Sequence, residues 1–123
     1  MSKYGNRKTW VEDIQFDSIK EAKYYVYLRE RQKRGEISDL RLQVPFEIVP
    51  AVYEDRVVKL KTKEKIERHK IQPAVHYIAD FVYVEDGKEV VVDVKSAATK
   101  KKDTYILKKK MMRAFLGITI EEV

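Results

Sequence analysis

The chain has 123 residues, 44% of them hydrophobic and 37% charged, with a net charge of +6, a composition that fits a single domain with its own core. It has no cysteine, which excludes disulfides and thiolate zinc sites, and no run of about 18 apolar residues, which excludes a membrane-spanning helix. The N-terminal segment lacks the apolar region of a signal peptide, so we expect a cytoplasmic protein that does not enter the membrane.

The N-terminal part predicts a basic arm followed by a helix. Residues 1–15 are polar and basic and have no strong helical or strand pattern. Ser18 and Glu21 have the spacing of a capping box, and Gly35 is a typical residue just beyond a helix C-terminus. These signals predict a helix over residues 18–34.

A strand and a densely charged segment follow. Apolar and polar residues alternate from 38 to 53, which indicates a strand that bends at Pro45 or Pro50. Residues 54–72 are harder to assign, because seven basic and four acidic residues lie between 54 and 70. This segment is either an extended hairpin or a mobile basic loop inserted into the domain.

The central prediction is a hairpin over residues 77–96. Asp86-Gly87 favours a two-residue type I′ turn, and the flanking runs are rich in Val, Ile, Phe and Tyr. With that turn, Asp80 faces Asp93, and Lys95 shares the face of Asp93 because side chains alternate along a strand. Two opposed carboxylates among valines destabilise a sheet unless a cation compensates them, which predicts a Mg²⁺ site. The alternative is that both aspartates are exposed strand-end residues.

The C-terminal part predicts a loop, a second helix and a short strand. The helix begins at Asp103 or Thr104 and ends at Gly117, and residues 118–120 form the strand. An apolar stripe of Leu107, Met111, Ala114 and Phe115 would face the core.

Positive charge is concentrated in this part of the chain. Residues 95–113 contain eight Lys or Arg side chains and one acid. Such a patch predicts contact with a polyanion, whereas a solvated lysine-rich surface is the alternative. The candidate phosphate-binding residues are Lys100, Lys101, Lys102, Lys108, Lys109, Lys110 and Arg113.

The ordered set of Glu21, Asp80 and Asp93-Val94-Lys95 resembles the PD-(D/E)xK nuclease superfamily. More narrowly, the chain resembles a phage-borne family of small Holliday-junction-resolvase-like proteins with a DUF1064-type domain. The segments that carry this resemblance are 16–22, 35–43, 77–81 and 92–96, together with Tyr105, Lys108 and Lys110. The resemblance implies an α/β fold with a restriction-endonuclease-like α-β-β-β-α-β core, in which helices flank a mixed central sheet.

The resemblance also implies roles for individual residues. Asp80, Asp93 and the main-chain carbonyl of Val94 would bind Mg²⁺, or Mn²⁺ as a substitute, and Glu21 would complete the site directly or through water. Lys95 would orient or deprotonate the attacking water and stabilise developing charge. The capping-box position alone also explains a glutamate at 21. Gln43 would contact phosphate or a metal-bound water, although an exposed strand glutamine is the plainer interpretation.

Together with the resemblance, these features predict a Mg²⁺-dependent endodeoxyribonuclease. The resemblance implies that it is selective for branched DNA and acts as a homodimer in a bacterial or phage-infected cell. The alternatives are a non-catalytic nucleic-acid-binding module and a transposon-end or repair-type nuclease of the same fold. An interaction protein that modifies a host or phage machine is a further alternative.

Overall fold

A computed structural model describes residues 7–123 as a mixed α/β protein. Its elements in chain order are β1 (Thr9–Val11), β2 (Ile14–Phe16), α1 (Ile19–Lys33), β3 (Ser38–Val49), β4 (Val52–Lys59), β5 (Glu64–Gln72), β6 (Val75–Glu85), β7 (Lys88–Asp93), α2 (Ala97–Lys100), α3 (Asp103–Leu116) and β8 (Ile120–Glu122).

The main sheet is mixed and has the strand order β3-β6-β7-β8. Its first three strands are antiparallel, and β8 joins β7 in parallel. Val92 of β7 packs in a cluster with α1, whereas its neighbour Val91 packs in a second cluster with α3. Because neighbouring side chains of a strand point to opposite faces, the two helices cover opposite faces of the sheet.

The hairpin of β6 and β7 has the predicted register. Its pairs run from Glu85–Lys88 at the turn to Phe81–Val92. Asp86 and Gly87 have φ angles of +52° and +74°, as a type I′ turn requires at both central positions. Asp80 and Asp93 follow directly after the last recorded pair, so the hairpin brings them to the same end of the ladder.

Helix α1 begins as its sequence predicts. The Ser18 hydroxyl caps the helix by accepting a hydrogen bond from the Glu21 N–H at 3.1 Å. The buried side chains of the helix are Glu21, Ala22, Tyr25 and Leu28. The apolar members of that set pack against Phe16 and Phe81, which anchors the helix on the sheet.

Residues 52–72 form an extended antiparallel hairpin, one of the two alternatives considered for the charged segment. Strands β4 and β5 pair with each other in a separate two-stranded sheet. Pro50 lies in the break between β3 and β4, whereas Pro45 remains inside β3, opposite Ile78. We call residues 52–72 the ribbon.

Several sequence-based predictions are corrected. The predicted arm at 1–15 contains β1 and most of β2, which pair with each other; its residues 1–6 lie outside the described part of the chain. The loop after Lys95 contains the short helix α2, and the last strand is displaced to 120–122. Among residues 7–123, none of the helices has the length and apolarity needed to cross a membrane.

Most of the predicted apolar stripe of α3 does not face the core, although Met111 packs against the second cluster. Tyr105 and Met112 are the buried residues of this helix, whereas Leu107 and Phe115 are 55% and 63% exposed. The stripe has the correct helical spacing, but Tyr105 and Met112 lie seven residues apart on another side of the helix. Spacing therefore indicated a helix correctly and its buried face wrongly.

Candidate functional site

Four polar side chains converge at one end of the β6–β7 hairpin. Glu21 comes from the first turn of α1, Asp80 from β6, Asp93 from the end of β7, and Gln43 from β3. The Gln43 Nε2 atom lies 3.3 Å from Glu21 Oε1 and 3.3 Å from Asp80 Oδ1. The amide of Gln43 thus links the helix carboxylate to the strand carboxylate.

The backbone conformation of Gln43 explains why its side chain reaches both Glu21 and Asp80. Gln43 has a φ angle of +52° in the middle of β3, a left-handed conformation that costs a residue other than glycine about 1–2 kcal/mol. Leu42 on one side of it packs with the α1 cluster, and Val44 on the other side packs with the α3 cluster. Residues two apart in a regular strand would share a face, so the strand changes face at Gln43.

The neighbouring strand changes face at the same level. Ala79 pairs with Val44 and belongs to the α3 cluster, whereas Phe81 pairs with Leu42 and belongs to the α1 cluster. Asp80 lies between them, opposite Gln43. Residues in strained backbone conformations are concentrated at functional sites, and here the irregularity carries both Gln43 and Asp80.

Asp93 is fully buried and only partly satisfied. Its Oδ2 atom accepts a hydrogen bond from the Tyr77 hydroxyl and lies 3.3 Å from Lys95 Nζ. Its Oδ1 atom is buried and has no hydrogen-bond partner among the described residues. Burial, followed by the nearby Asp80 carboxylate, raises the pKa of Asp93 to about 7, while Tyr77 and Lys95 act in the opposite direction.

Glu21 is also buried, and it is more than a capping residue. Only half of the predicted capping box is present among the described hydrogen bonds: the Glu21 N–H donates to Ser18, while the Glu21 carboxylate receives the Gln43 amide. Burial and then the charges of Asp80 and Asp17 raise the pKa of Glu21 to about 7, with Lys95 acting against them. Two acids of this site are therefore partly protonated near neutral pH in the metal-free protein.

Glu21 and Asp80 open onto a cleft of about 230 Å³, the acidic cleft. Its lining residues are Asp17, Ser18, Lys20, Glu21, Asp80, Val94, Lys95, Ser96 and Thr99. The Val94 N–H donates to Asp80 Oδ2 at 2.9 Å, and Lys20 Nζ donates to the Lys95 carbonyl at 3.2 Å. These bonds fix the Asp80 carboxylate and the chain between Asp93 and Ser96.

The residues of the site suit a hard divalent cation. Carboxylate oxygens are the ligands that Mg²⁺ prefers, and Mg²⁺ commonly uses only one or two of them together with water. A cation at this site would give the unpartnered Oδ1 of Asp93 a partner and would lower the raised pKa values of Asp93 and Glu21. Within residues 7–123, no cluster of three or more His, Cys, Asp or Glu side chains is already arranged to hold a metal.

The predicted phosphate-binding residues differ in their surroundings: some line a cleft with Lys95, and others are already bonded within the protein. Lys102 and Lys108 line a second cleft, the basic cleft, of about 530 Å³ together with Lys95. Lys109 is bound to Glu122 at 2.7 Å, and the Arg113 guanidinium donates to the Gly117 carbonyl at 3.3 Å.

The remaining predicted phosphate-binding residues lie farther along the two helices. Lys100 is in the exposed end of α2, Lys101 follows it, and Lys110 lines a third cavity with Arg113. Of the seven predicted residues, Lys102 and Lys108 are thus the two that share a cleft with Lys95.

Comparison with known proteins assigns the chain to a family. A family model described as "Protein of unknown function (DUF1064)" matches residues 1–119. The chain belongs to the DUF1064 family. Searches among curated proteins and among solved structures find no match to this DUF1064 protein. The family match spans every residue of the site, but its description assigns no function, so the function must be argued from the site.

Sequence reasoning missed two tyrosines that support the site of this DUF1064 protein. The Tyr77 hydroxyl binds Asp93, and burial followed by that hydrogen bond raises the pKa of Tyr77, which keeps its proton available. The Tyr105 ring lies 5.1 Å from Lys95 Nζ, a cation–π distance. In the predicted register Tyr77 lies opposite Ser96, one position beyond Lys95, so cross-strand pairing already indicated that it lies at this end of the hairpin. Tyr105 is among the residues that carry the resemblance to small resolvase-like proteins, but that resemblance implies no role for it.

Proposed function

We propose that this chain is a metal-dependent DNA endonuclease that hydrolyses phosphodiester bonds and is selective for branched DNA. The observation that carries the proposal is the grouping of Glu21, Asp80 and Asp93 with Lys95 beside an open cleft. Carboxylates whose pKa is raised by burial and by a neighbouring charge beside a cleft are candidates for a functional site.

Asp80, Asp93 and the carbonyl of Val94 would hold Mg²⁺ or Mn²⁺, with Glu21 as a direct or water-linked partner. When bound, the ion would polarise the scissile phosphate and lower the pKa of a water molecule. Binding of a cation would release the protons that Glu21 and Asp93 retain near pH 7, so the two acids become fully ionised partners.

Lys95 would act on the water and on the phosphate. Its ammonium lies 3.3 Å from the Asp93 carboxylate and over the Tyr105 ring, so both its position and its charge are constrained. It also lines both the acidic and the basic cleft. A lysine in that position can orient the attacking water and stabilise the charge that develops on the phosphate oxygens.

The basic cleft supports a nucleic-acid substrate. Lys102 and Lys108 line it, and its described lining contains no carboxylate. Because Lys95 belongs to both clefts, a phosphate chain held at the acidic cleft would continue past these two lysines. Ion pairs with successive phosphates supply most of the affinity of a protein for DNA regardless of sequence.

The order of the elements is a further support. The sequence α1, β3, β6, β7, α3, β8 has the α-β-β-β-α-β order of the PD-(D/E)xK nucleases, and we propose a restriction-endonuclease-like core on that basis. We extend the proposal to a homodimer in a bacterial or phage-infected cytoplasm, since two symmetric cuts in a branched substrate require two active sites.

The test is a cleavage assay with Mg²⁺ on four labelled DNAs: a four-way junction, a flap, a single strand and a plain duplex. We expect cleavage of the branched substrates above all, and none when EDTA replaces Mg²⁺. Preferred cleavage of the flap or of the duplex would favour a repair-type or transposon-end nuclease. Salt-sensitive binding to all four DNAs without cleavage would identify a non-catalytic nucleic-acid-binding module and refute the proposal.

A further inference from the structure

The ribbon extends the two strands that carry the site. Strand β3 contains Gln43 and leads through Pro50 into β4, and β5 returns into β6, which contains Asp80. The ladder of β3 and β6 closes with the pair Val49–Val75, and the ribbon opens with the pair Val52–Gln72. Strand β4 has eight residues, so the ribbon extends for about 27 Å at about 3.4 Å per residue.

The charge of the ribbon is concentrated at its far end. Residues 59–65 contain four lysines and one glutamate, whereas the basic and acidic residues of the rest of the ribbon are equal in number. In the lower part, Arg56 is paired with Glu54 at 2.7 Å, and the Arg68 guanidinium lies 3.9 Å from the centre of the Tyr53 ring.

The lysines at the tip are differently placed. Lys59, Lys61 and Lys63 are exposed and take part in no ion pair within the described part of the chain, whereas Lys65 is bound to Glu67 at 2.8 Å. Lys61 and Lys63 lie in the four-residue turn 60–63 that connects the two strands, and this turn contains no carboxylate. These ammonium groups are therefore free to bind an external anion.

We propose that the tip of the ribbon, at Lys59, Lys61 and Lys63, binds the phosphate backbone of duplex DNA at a distance from the acidic cleft. The match of charge is the first reason, since duplex DNA has one phosphate charge per about 1.7 Å of its axis. The second reason is shape: a two-stranded antiparallel ribbon fits the major groove. The third is that the ribbon continues β3 and β6, the strands that hold Gln43 and Asp80.

This inference rests on the proposed function, because it takes DNA as the substrate. The inference adds that the chain binds a duplex arm next to the cleaved position. An arm of about eight base pairs matches the 27 Å ribbon at about 3.4 Å per base pair. The tip would hold that arm through phosphates and would contribute no base specificity.

The experiment compares two double variants of the full chain. Lys61→Ala with Lys63→Ala removes two charges from the tip, and Lys33→Ala with Lys88→Ala removes two exposed charges from α1 and the first residue of β7. Binding to a labelled duplex of about 30 base pairs is measured in EDTA over a range of salt concentrations. We expect the tip variant to bind more weakly and to lower the slope of log K against log salt by about two, one for each lost phosphate contact.

The Lys33/Lys88 control variant should retain the wild-type slope, and both variants should melt at the wild-type temperature because all four lysines are exposed. An unchanged salt slope for the tip variant, or an equal loss of slope in the control variant, overturns the inference.

Cleavage is measured separately with Mg²⁺. If wild-type protein cleaves DNA but the tip variant keeps its slope, the ribbon inference alone fails. If wild-type protein binds DNA through the tip but cleaves no substrate, the proposed nuclease function alone fails. If wild-type protein does not bind DNA, both fail.

Discussion

Replacement of Asp80 by asparagine should stabilise the metal-free protein while abolishing cleavage. Burial, as the largest single cause, and then the Asp80 carboxylate raise the pKa of both Glu21 and Asp93 to about 7. Asparagine can still accept the Val94 N–H that Asp80 accepts at 2.9 Å, and the Gln43 amide can turn its oxygen toward the new NH₂ group. The substitution therefore removes a charge and keeps the bond from Val94, whereas turning the Gln43 amide gives up the hydrogen bond that its Nε2 atom donates to Glu21.

The size of the effect follows from the two pKa values. Each unit of pKa displacement corresponds to about 1.4 kcal/mol, and burial is the largest single cause of either displacement, so Asp80 accounts for only part of each. The repulsion that Asp80 adds near pH 8 is then on the order of 1–2 kcal/mol, which corresponds to a rise of about 3–8 °C in melting temperature for a domain of this size.

The effect should depend on pH with a definite sign. Between the ordinary carboxyl pKa near 4 and the folded-state value near 7, Glu21 and Asp93 are protonated in the folded protein and ionised in the unfolded one. The stabilisation they contribute is full at low pH and is lost as pH rises through about 7. Metal-free wild-type protein should thus melt at a higher temperature at about pH 5 than at about pH 8, and the gain from Asp80→Asn should be largest at about pH 8.

Calorimetric melting in EDTA measures this effect, with Asp13→Asn as a control that removes an exposed charge from the β1–β2 turn. Addition of Mg²⁺ should raise the melting temperature of wild-type protein and have little effect on Asp80→Asn. Two results would refute the reasoning from repulsion. One is a melting temperature of Asp80→Asn at or below that of wild type at about pH 8. The other is an increase in melting temperature over wild type that is as large at about pH 5 as at about pH 8.

Three other substitutions test the remaining parts of the site. Lys95→Ala should keep the Mg²⁺ affinity, measured by calorimetric titration, within a few-fold of wild type but lower the single-turnover cleavage rate by about 10²-fold or more, and Lys95→Arg should not restore the rate. Joint loss of metal binding and DNA binding in Lys95→Ala would contradict this role. Lys102→Ala with Lys108→Ala should lower the salt slope of DNA binding by about two, whereas Lys109→Ala, which loses an already ion-paired lysine, should leave it unchanged. The free energy of unfolding of Gln43→Gly, measured by denaturant titration, should exceed that of Gln43→Ala by about 1 kcal/mol, because only glycine adopts the positive φ of position 43 without strain. Equal free energies of unfolding would mean that the backbone at this position is unstrained.

The central hairpin could be predicted because its information is local. Asp86-Gly87 determines the turn, and the turn determines every pair up to Phe81–Val92. The proximity of Asp80, Asp93 and Lys95 follows from that register. The cap of α1 at Ser18 is equally local, since it needs only a hydroxyl three residues before a helical N–H.

The features that could not be predicted depend on contacts between distant segments. The reversal of faces at Gln43 and Asp80 breaks the period of two from which strand faces are inferred, and no glycine marks it in the sequence. The buried side of α3 is chosen by the sheet face that receives Tyr105 and Met112, not by the spacing of Leu107 and Phe115. The burial of Glu21 likewise depends on the strand that brings Gln43 to it.

The most direct test of the central claim is single-turnover cleavage of a four-way junction by wild-type protein and by Asp93→Asn, each with Mg²⁺ and with EDTA. Asparagine has nearly the shape of aspartate and can still accept the Tyr77 hydroxyl, so the variant should fold. We predict that wild-type protein cleaves the junction only with Mg²⁺ and that Asp93→Asn yields no product under either condition while still binding the junction. Cleavage by wild-type protein in EDTA, or by Asp93→Asn at the wild-type rate, would contradict a metal-dependent nuclease site at this cluster.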